Sequence, residues 1–112
     1  MNTRTQVLLW IAQRASAAVL ALCVLVHLVT MIYAVRSGLS AAEILDRTRG
    51  NFAWLAFYGL FVAAVAIHAP IGLRTILSET FGRRGPALDV TLLAIGAALA
   101  LWGGRAVLAV FG

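Results

Sequence analysis

Apolar and charged positions are sharply segregated along the chain. Residues 15–35 hold 21 positions without Asp, Glu, Lys or Arg, and residues 50–73 hold 24. Residues 90–104 add 15 more, followed by Arg105 and an apolar tail to Gly112. A helix needs about 20 mostly apolar residues to cross a bilayer. The first two windows meet that length, and the third does so if it begins near Leu88 and Arg105 snorkels to the interface. The pattern predicts an all-α, three-span transmembrane protein, one membrane domain over 1–112 with spans near 10–34, 52–73 and 88–108.

The connections carry turn and cap signals. Gly38 is placed to stop span 1. Ser40 and Glu43 have capping-box spacing, which predicts a short interfacial helix over about 41–48, with Ile44 and Leu45 toward the bilayer. Gly82-Arg83-Arg84-Gly85-Pro86 reads as a basic turn that ends before span 3. Pro70 is expected to bend span 2 and release a carbonyl near His68 or one turn back. The first apolar run begins near Val7 and is too long for a signal peptide, with no small-residue cleavage site.

Composition agrees and removes alternatives. The chain has 112 residues, 62% hydrophobic and 12% charged, against about 25% charged in average soluble domains. A lone soluble globule is excluded, and so is disorder, which requires low hydrophobicity. The net charge is +5, and all nine basic residues are arginine. They lie at the edges of apolar runs, which fits a membrane protein and no nucleic-acid surface. Arg4, Arg14, Arg74, Arg83 and Arg84 fall on one side, and Arg36, Arg47, Arg49 and Arg105 on the other. This slight excess puts the N-terminus in the cytoplasm. Cys23 is the one cysteine, so no internal disulfide forms.

The only histidines, His27 and His68, both fall within spans. At 1.5 Å per residue each lies roughly 22 Å from the start of its span, and the spans run in opposite directions. The rings therefore sit near opposite membrane surfaces, about 15 Å apart in depth. They cannot share one metal. Each can supply one axial nitrogen to a separate haem b, completed by a partner, or each can be a polar group hydrogen-bonded between helices. Ser16, Leu20, Cys23, His27 and Thr30 form one stripe on span 1, open to the same two readings. Ala64 and Gly72 flank His68 at i−4 and i+4 and allow close approach of a helix or a flat macrocycle.

Arg74 and Arg14 are candidates for anionic groups such as haem propionates; both also fit as membrane-interface anchors. Trp10, Tyr33, Trp54, Phe57, Tyr58 and Trp102 fall near span ends, the pattern of an aromatic belt. Trp10 can also line a quinone pocket beside Arg14.

Two segments carry a family resemblance. Ala12-Gln13-Arg14-Ala15-Ser16-Ala17 resembles a His-Arg-x-Ser/Thr-Gly signature. His68-Ala69-Pro70-Ile71-Gly72-Leu73-Arg74, with Glu79 downstream, resembles a His-x-x-x-Gly-hydrophobic-Arg segment. Together they make the chain similar to the cytochrome b membrane-anchor subunits of succinate dehydrogenase and fumarate reductase. The resemblance implies His68 as a haem b ligand, Arg74 near the propionates and the iron-sulfur subunit, and Arg14 near quinone and propionates. Ser16 matches the signature hydroxyl near the quinone. Gln13 stands where the signature has His, Ala17 where it has Gly, and Trp10 where some members place a quinone-contacting Ser.

The resemblance also implies a second membrane-anchor subunit, an iron-sulfur subunit and a flavoprotein subunit, in the bacterial cytoplasmic membrane. Two-haem members place one histidine in each of the first two spans at opposite depths. The sequence reading is therefore half of a haem-binding bundle that shares two b haems with a partner, His68 on the proximal and His27 on the distal one. It passes electrons between the iron-sulfur subunit and quinone, while succinate chemistry falls to other subunits. The alternatives are a single-haem anchor of the same complex and a non-haem scaffold or transporter subunit.

Overall fold

A computed structural model describes residues 2–112. It contains four helices: α1 (Thr3–Arg36), α2 (Ala41–Thr48), α3 (Phe52–Phe81) and α4 (Pro86–Phe111). Three of them, α1, α3 and α4, are long and apolar enough to cross a membrane. The chain is an all-α, multi-pass membrane protein.

The long helices outrun the apolar windows. α1 has 34 residues, about 51 Å of helix, against a hydrocarbon core of about 30 Å. The excess is polar at both ends. Asn2 caps the start by accepting from the Thr5 amide at 2.8 Å, and Arg36 closes the last turn, where a cation complements the helix dipole. α3 continues past the charge boundary at Arg74 as far as Phe81 and ends on Gly82, whose left-handed φ of 65° closes the C-cap. Charge ends the apolar window, but it does not end the helix.

The short helix forms where the Ser40–Glu43 spacing places it. Ser40 Oγ accepts from the Glu43 amide at 3.2 Å, and the Ser40 amide donates to Glu43 Oε1 at 3.4 Å. Ser40→Ala is expected to fray α2 and cost about 1 kcal/mol locally, read as faster amide exchange at Glu43 and Ile44. α2 docks on the end of α4, with Thr48 Oγ1 donating to the Val110 carbonyl at 2.8 Å and the Gly50 amide to the Phe111 carbonyl at 2.9 Å.

The packing is α1 on α3 and α3 on α4, with α3 central. At the second contact the small residues of α4 do the work. A Cβ on Gly96 would lie 3.1 Å from both the Ala66 carbonyl oxygen and Pro70 Cγ, and one on Gly103 would lie 2.7 Å from Val62 Cγ1. Proline at position 70 cannot donate to the Ala66 carbonyl, and Gly96 packs against that oxygen. The carbonyl is thus covered by the backbone of α4.

Very little of the molecule is interior. Among the described residues Cys23, Ala64, Leu92 and Val107 are the buried apolar side chains and Ser16 the buried polar one. The accessible surface is 7865 Å², where a soluble monomer of 11.9 kDa exposes about 5,900 Å². Leucines and valines along α1, such as Leu22, Leu25, Val29 and Val35, stay exposed. In water this surface is untenable; in lipid or against other membrane helices it is the ordinary outside of a membrane protein.

Candidate functional site: the α1–α3 seam

The register of α1 against α3 fixes the depth of both histidines. Gln13 lies against Gly72, and His27 lies against Tyr58. Each pair member is fourteen residues from its counterpart on the same helix, so the antiparallel register is constant between them. His68 is then level with Ala17, ten residues before His27. The histidines are about 15 Å apart along the seam. Taking residue 22 as the centre of the first span, each ring stands about 7 Å from the middle, on opposite halves.

The half toward the N-terminal end of α1 holds His68, Gln13, Ser16 and Gly72. Ser16 is buried, and its hydroxyl donates to the Gln13 carbonyl at 3.1 Å. His68 is half-buried. Its Nδ1 is sealed from solvent without a hydrogen-bond partner, and Gln13 Oε1 is in the same state. Buried polar atoms are nearly always paired, so these two atoms mark the seam as incomplete in the isolated chain.

The arginines of this half are engaged separately. The Arg14 guanidinium stacks over the Trp10 ring, 5.1 Å from its centroid. Arg74 Nε donates to Asp89 Oδ1 at 3.0 Å, tying α3 to the first turn of α4. Of the three residues picked for a quinone site, Trp10 and Arg14 stand together and Trp10 is exposed, while Ser16 is buried.

The other half is aromatic. His27 Nδ1 and the Tyr58 hydroxyl are 3.3 Å apart, and the imidazole meets the Tyr58 and Phe61 rings edge-on at 5.8 Å. Trp54 and Phe57 pack around Tyr58. His27 also borders an apolar groove of about 690 Å³ between α3, α4 and α2, walled by Val62, Leu99, Trp102 and Val107. Span-end aromatics placed in an interfacial belt by sequence thus also serve as a packed partner for His27. Tyr58 had no sequence signal of its own. It emerges only when two antiparallel helices are set in register.

The polar stripe of α1 turns out to be its packing face. Ser16 and Cys23 are buried, and Leu20, His27 and Thr30 are partly so. Thr30 Oγ1 donates to the His27 carbonyl at 2.8 Å. Among the described residues no three His, Cys, Asp or Glu side chains converge to hold a metal ion. A bare-ion site is therefore not formed. Each histidine offers at most one nitrogen to a metal held mainly by something else.

Three long apolar helices with very few buried side chains between them define a multi-pass membrane protein. The chain belongs to the succinate dehydrogenase/fumarate reductase transmembrane subunit family, whose model matches residues 1–104. No curated protein and no solved structure matches the chain. It is a membrane-anchor subunit of a quinone-linked complex of the succinate/fumarate type.

Proposed function

We propose that this anchor binds one haem b, with His68 as an axial ligand and the opposite ligand on a second membrane-anchor subunit. The observation that carries the reading is His68 itself. It is a histidine within a span, half-buried, with Nδ1 sealed and unpartnered, and with Ala64 and Gly72 one turn to either side. Ionisable groups at this depth are costly unless used. A flat macrocycle fits beside a helix face lined by small residues, and a neutral imidazole is a good iron ligand.

Haem b supplies one-electron transfer. The chain's own residues do the rest. His68 would hold the haem iron at the depth its place on α3 fixes. Arg14 and Arg74, on the same half of the bundle, offer charge to the propionates, Arg74 while also paired to Asp89. Trp10 and Arg14 form the exposed pair against which a quinone headgroup can lie, and Ser16 sets the helix face behind them. An iron-sulfur subunit and a flavoprotein subunit dock at this end, in the bacterial cytoplasm, so that electrons reach quinone through the anchor. This orientation rests on the arginine excess and on the family resemblance.

One haem is preferred to two because His27 is already accounted for. Its ring meets the Tyr58 and Phe61 rings edge-on, which explains it as a packing residue between α1 and α3. The earlier expectation of a second haem on His27 therefore has less support than the single-haem alternative. One observation favours the second reading: the 690 Å³ groove bordered by His27 is large enough for a sizeable flat ligand. His27→Ala separates the two. With one haem, the reduced-minus-oxidised spectrum of the purified complex keeps its full haem b amplitude. A loss of half the haem assigns His27 to a second one.

A further inference from the structure

Two polar atoms are buried without partners among the described residues, Gln13 Oε1 on α1 and His68 Nδ1 on α3. They are complementary in kind. An amide oxygen accepts only, and the imidazole nitrogen that does not bind a metal carries a proton and donates. They are also close in place. Gln13 Nε2 is 3.1 Å from the position of a Cβ on Gly72, and Gly72 is four residues beyond His68, about 6 Å along the axis. Two hydrogen bonds through one water span about 5.5 Å, so a bridge forms when the flexible Gln13 side chain swings its amide along the seam toward His68. Gly72 supplies the room: a Cβ there would already crowd the Gln13 amide at 3.1 Å, and a bulky side chain would displace it.

We propose that Gln13 is the positioning residue for His68, accepting a hydrogen bond from Nδ1–H directly or through one water in the assembled complex. The proposal rests on His68 being a haem ligand. Its consequence is a fixed tautomer, with Nε2 left for the iron, and a more basic imidazole. A hydrogen-bonded partner on the outer ring nitrogen raises ligand basicity and favours the oxidised iron. The role goes to an uncharged amide at the position where the family signature carries histidine.

The test is a redox titration of haem b in the whole purified complex carrying Gln13→Leu or Gln13→Glu. Gln13→Leu removes the acceptor and is expected to raise the midpoint potential. The ratio of reduced to oxidised haem at fixed ambient potential should rise about tenfold, 59 mV for one electron. Gln13→Glu strengthens the acceptor and should shift the ratio the opposite way, with a matching change in the low-spin haem EPR signal. A seam disturbed only in packing shifts both variants in the same direction, and that result overturns the pairing. So does a potential unmoved by both. If Gln13→Leu does not assemble, the direction of the Gln13→Glu shift decides alone. Absence of haem from the wild-type complex overturns the ligand reading as well, and is distinguished by the spectrum before any titration.

Discussion

Replacing His68 with alanine is expected to remove haem b from the complex, leaving less than about a tenth of the wild-type amount. The expectation follows from how little else can hold the group. Haem b has no covalent attachment, and in the proposed arrangement this chain would contribute one nitrogen to it. Loss of an outer-shell partner alone weakens metal sites about 10–100-fold, and loss of the ligand itself should do no less. The imidazole is half-buried beside Ala64 and Gly72, so its removal leaves a gap that imidazole from solution can enter. Addition of imidazole should therefore restore part of the haem band in His68→Ala. A haem content equal to wild type would place the ligand elsewhere. Loss of haem with loss of the subunits as well would be uninformative without the rescue, which reports the site and not the fold.

Gly96→Leu should destabilise the bundle strongly. A Cβ at this position already stands 3.1 Å from the Ala66 carbonyl oxygen and from Pro70 Cγ. Neither neighbour can swing away: one is backbone and the other is a ring closed onto it. Overpacking of this kind costs typically about 1–3 kcal/mol, occasionally more, and a leucine adds three carbons beyond the first. α4 must move off α3, which uncovers the Ala66 carbonyl that Pro70 deprives of its helical donor. Gly96→Ala should fall at the lower end of that range. Gly103→Ala should also cost stability, since its Cβ would stand 2.7 Å from Cγ1 and 3.1 Å from Cγ2 of Val62, a β-branched side chain with one preferred rotamer in a helix. Thermal unfolding of the purified complex in detergent reads the order. Equal melting temperatures for Gly96→Leu and wild type would contradict the packing account.

The sequence reveals the spans because lipid imposes a length and forbids charge, and both constraints are written in one dimension. The α2 cap is equally local, since Ser40 and Glu43 are three residues apart. The His68 segment stands out for the same reason: His68, Gly72 and Arg74 lie within two turns. What the sequence conceals depends on register. Gln13 enters the reading only as a departure from a signature, and its contact with Gly72 appears when α1 and α3 are aligned. Tyr58 is one of several span-end aromatics until it meets His27, 31 residues away. Asp89 is a lone charge at the start of span 3 until Arg74 reaches it. The helix ends at Thr3 and Phe81 exceed the charge-free windows because helices tolerate charges at their termini while the hydrocarbon does not.

The polar stripe of span 1 illustrates the limit further. Ser16, Cys23 and His27 share a face in any α-helix, and that face can meet a cofactor or another helix with the same pattern. Here it meets α3. The spacing of residues establishes the face, and only the neighbour gives it a meaning.

The most direct measurement is the haem b content of the purified wild-type complex, by pyridine haemochrome, set against its flavin. One haem b per flavin is the result expected if His68 anchors the single haem and His27 is a packing residue. A complex that retains its flavin and iron-sulfur subunits but contains no haem b would contradict the account at its centre.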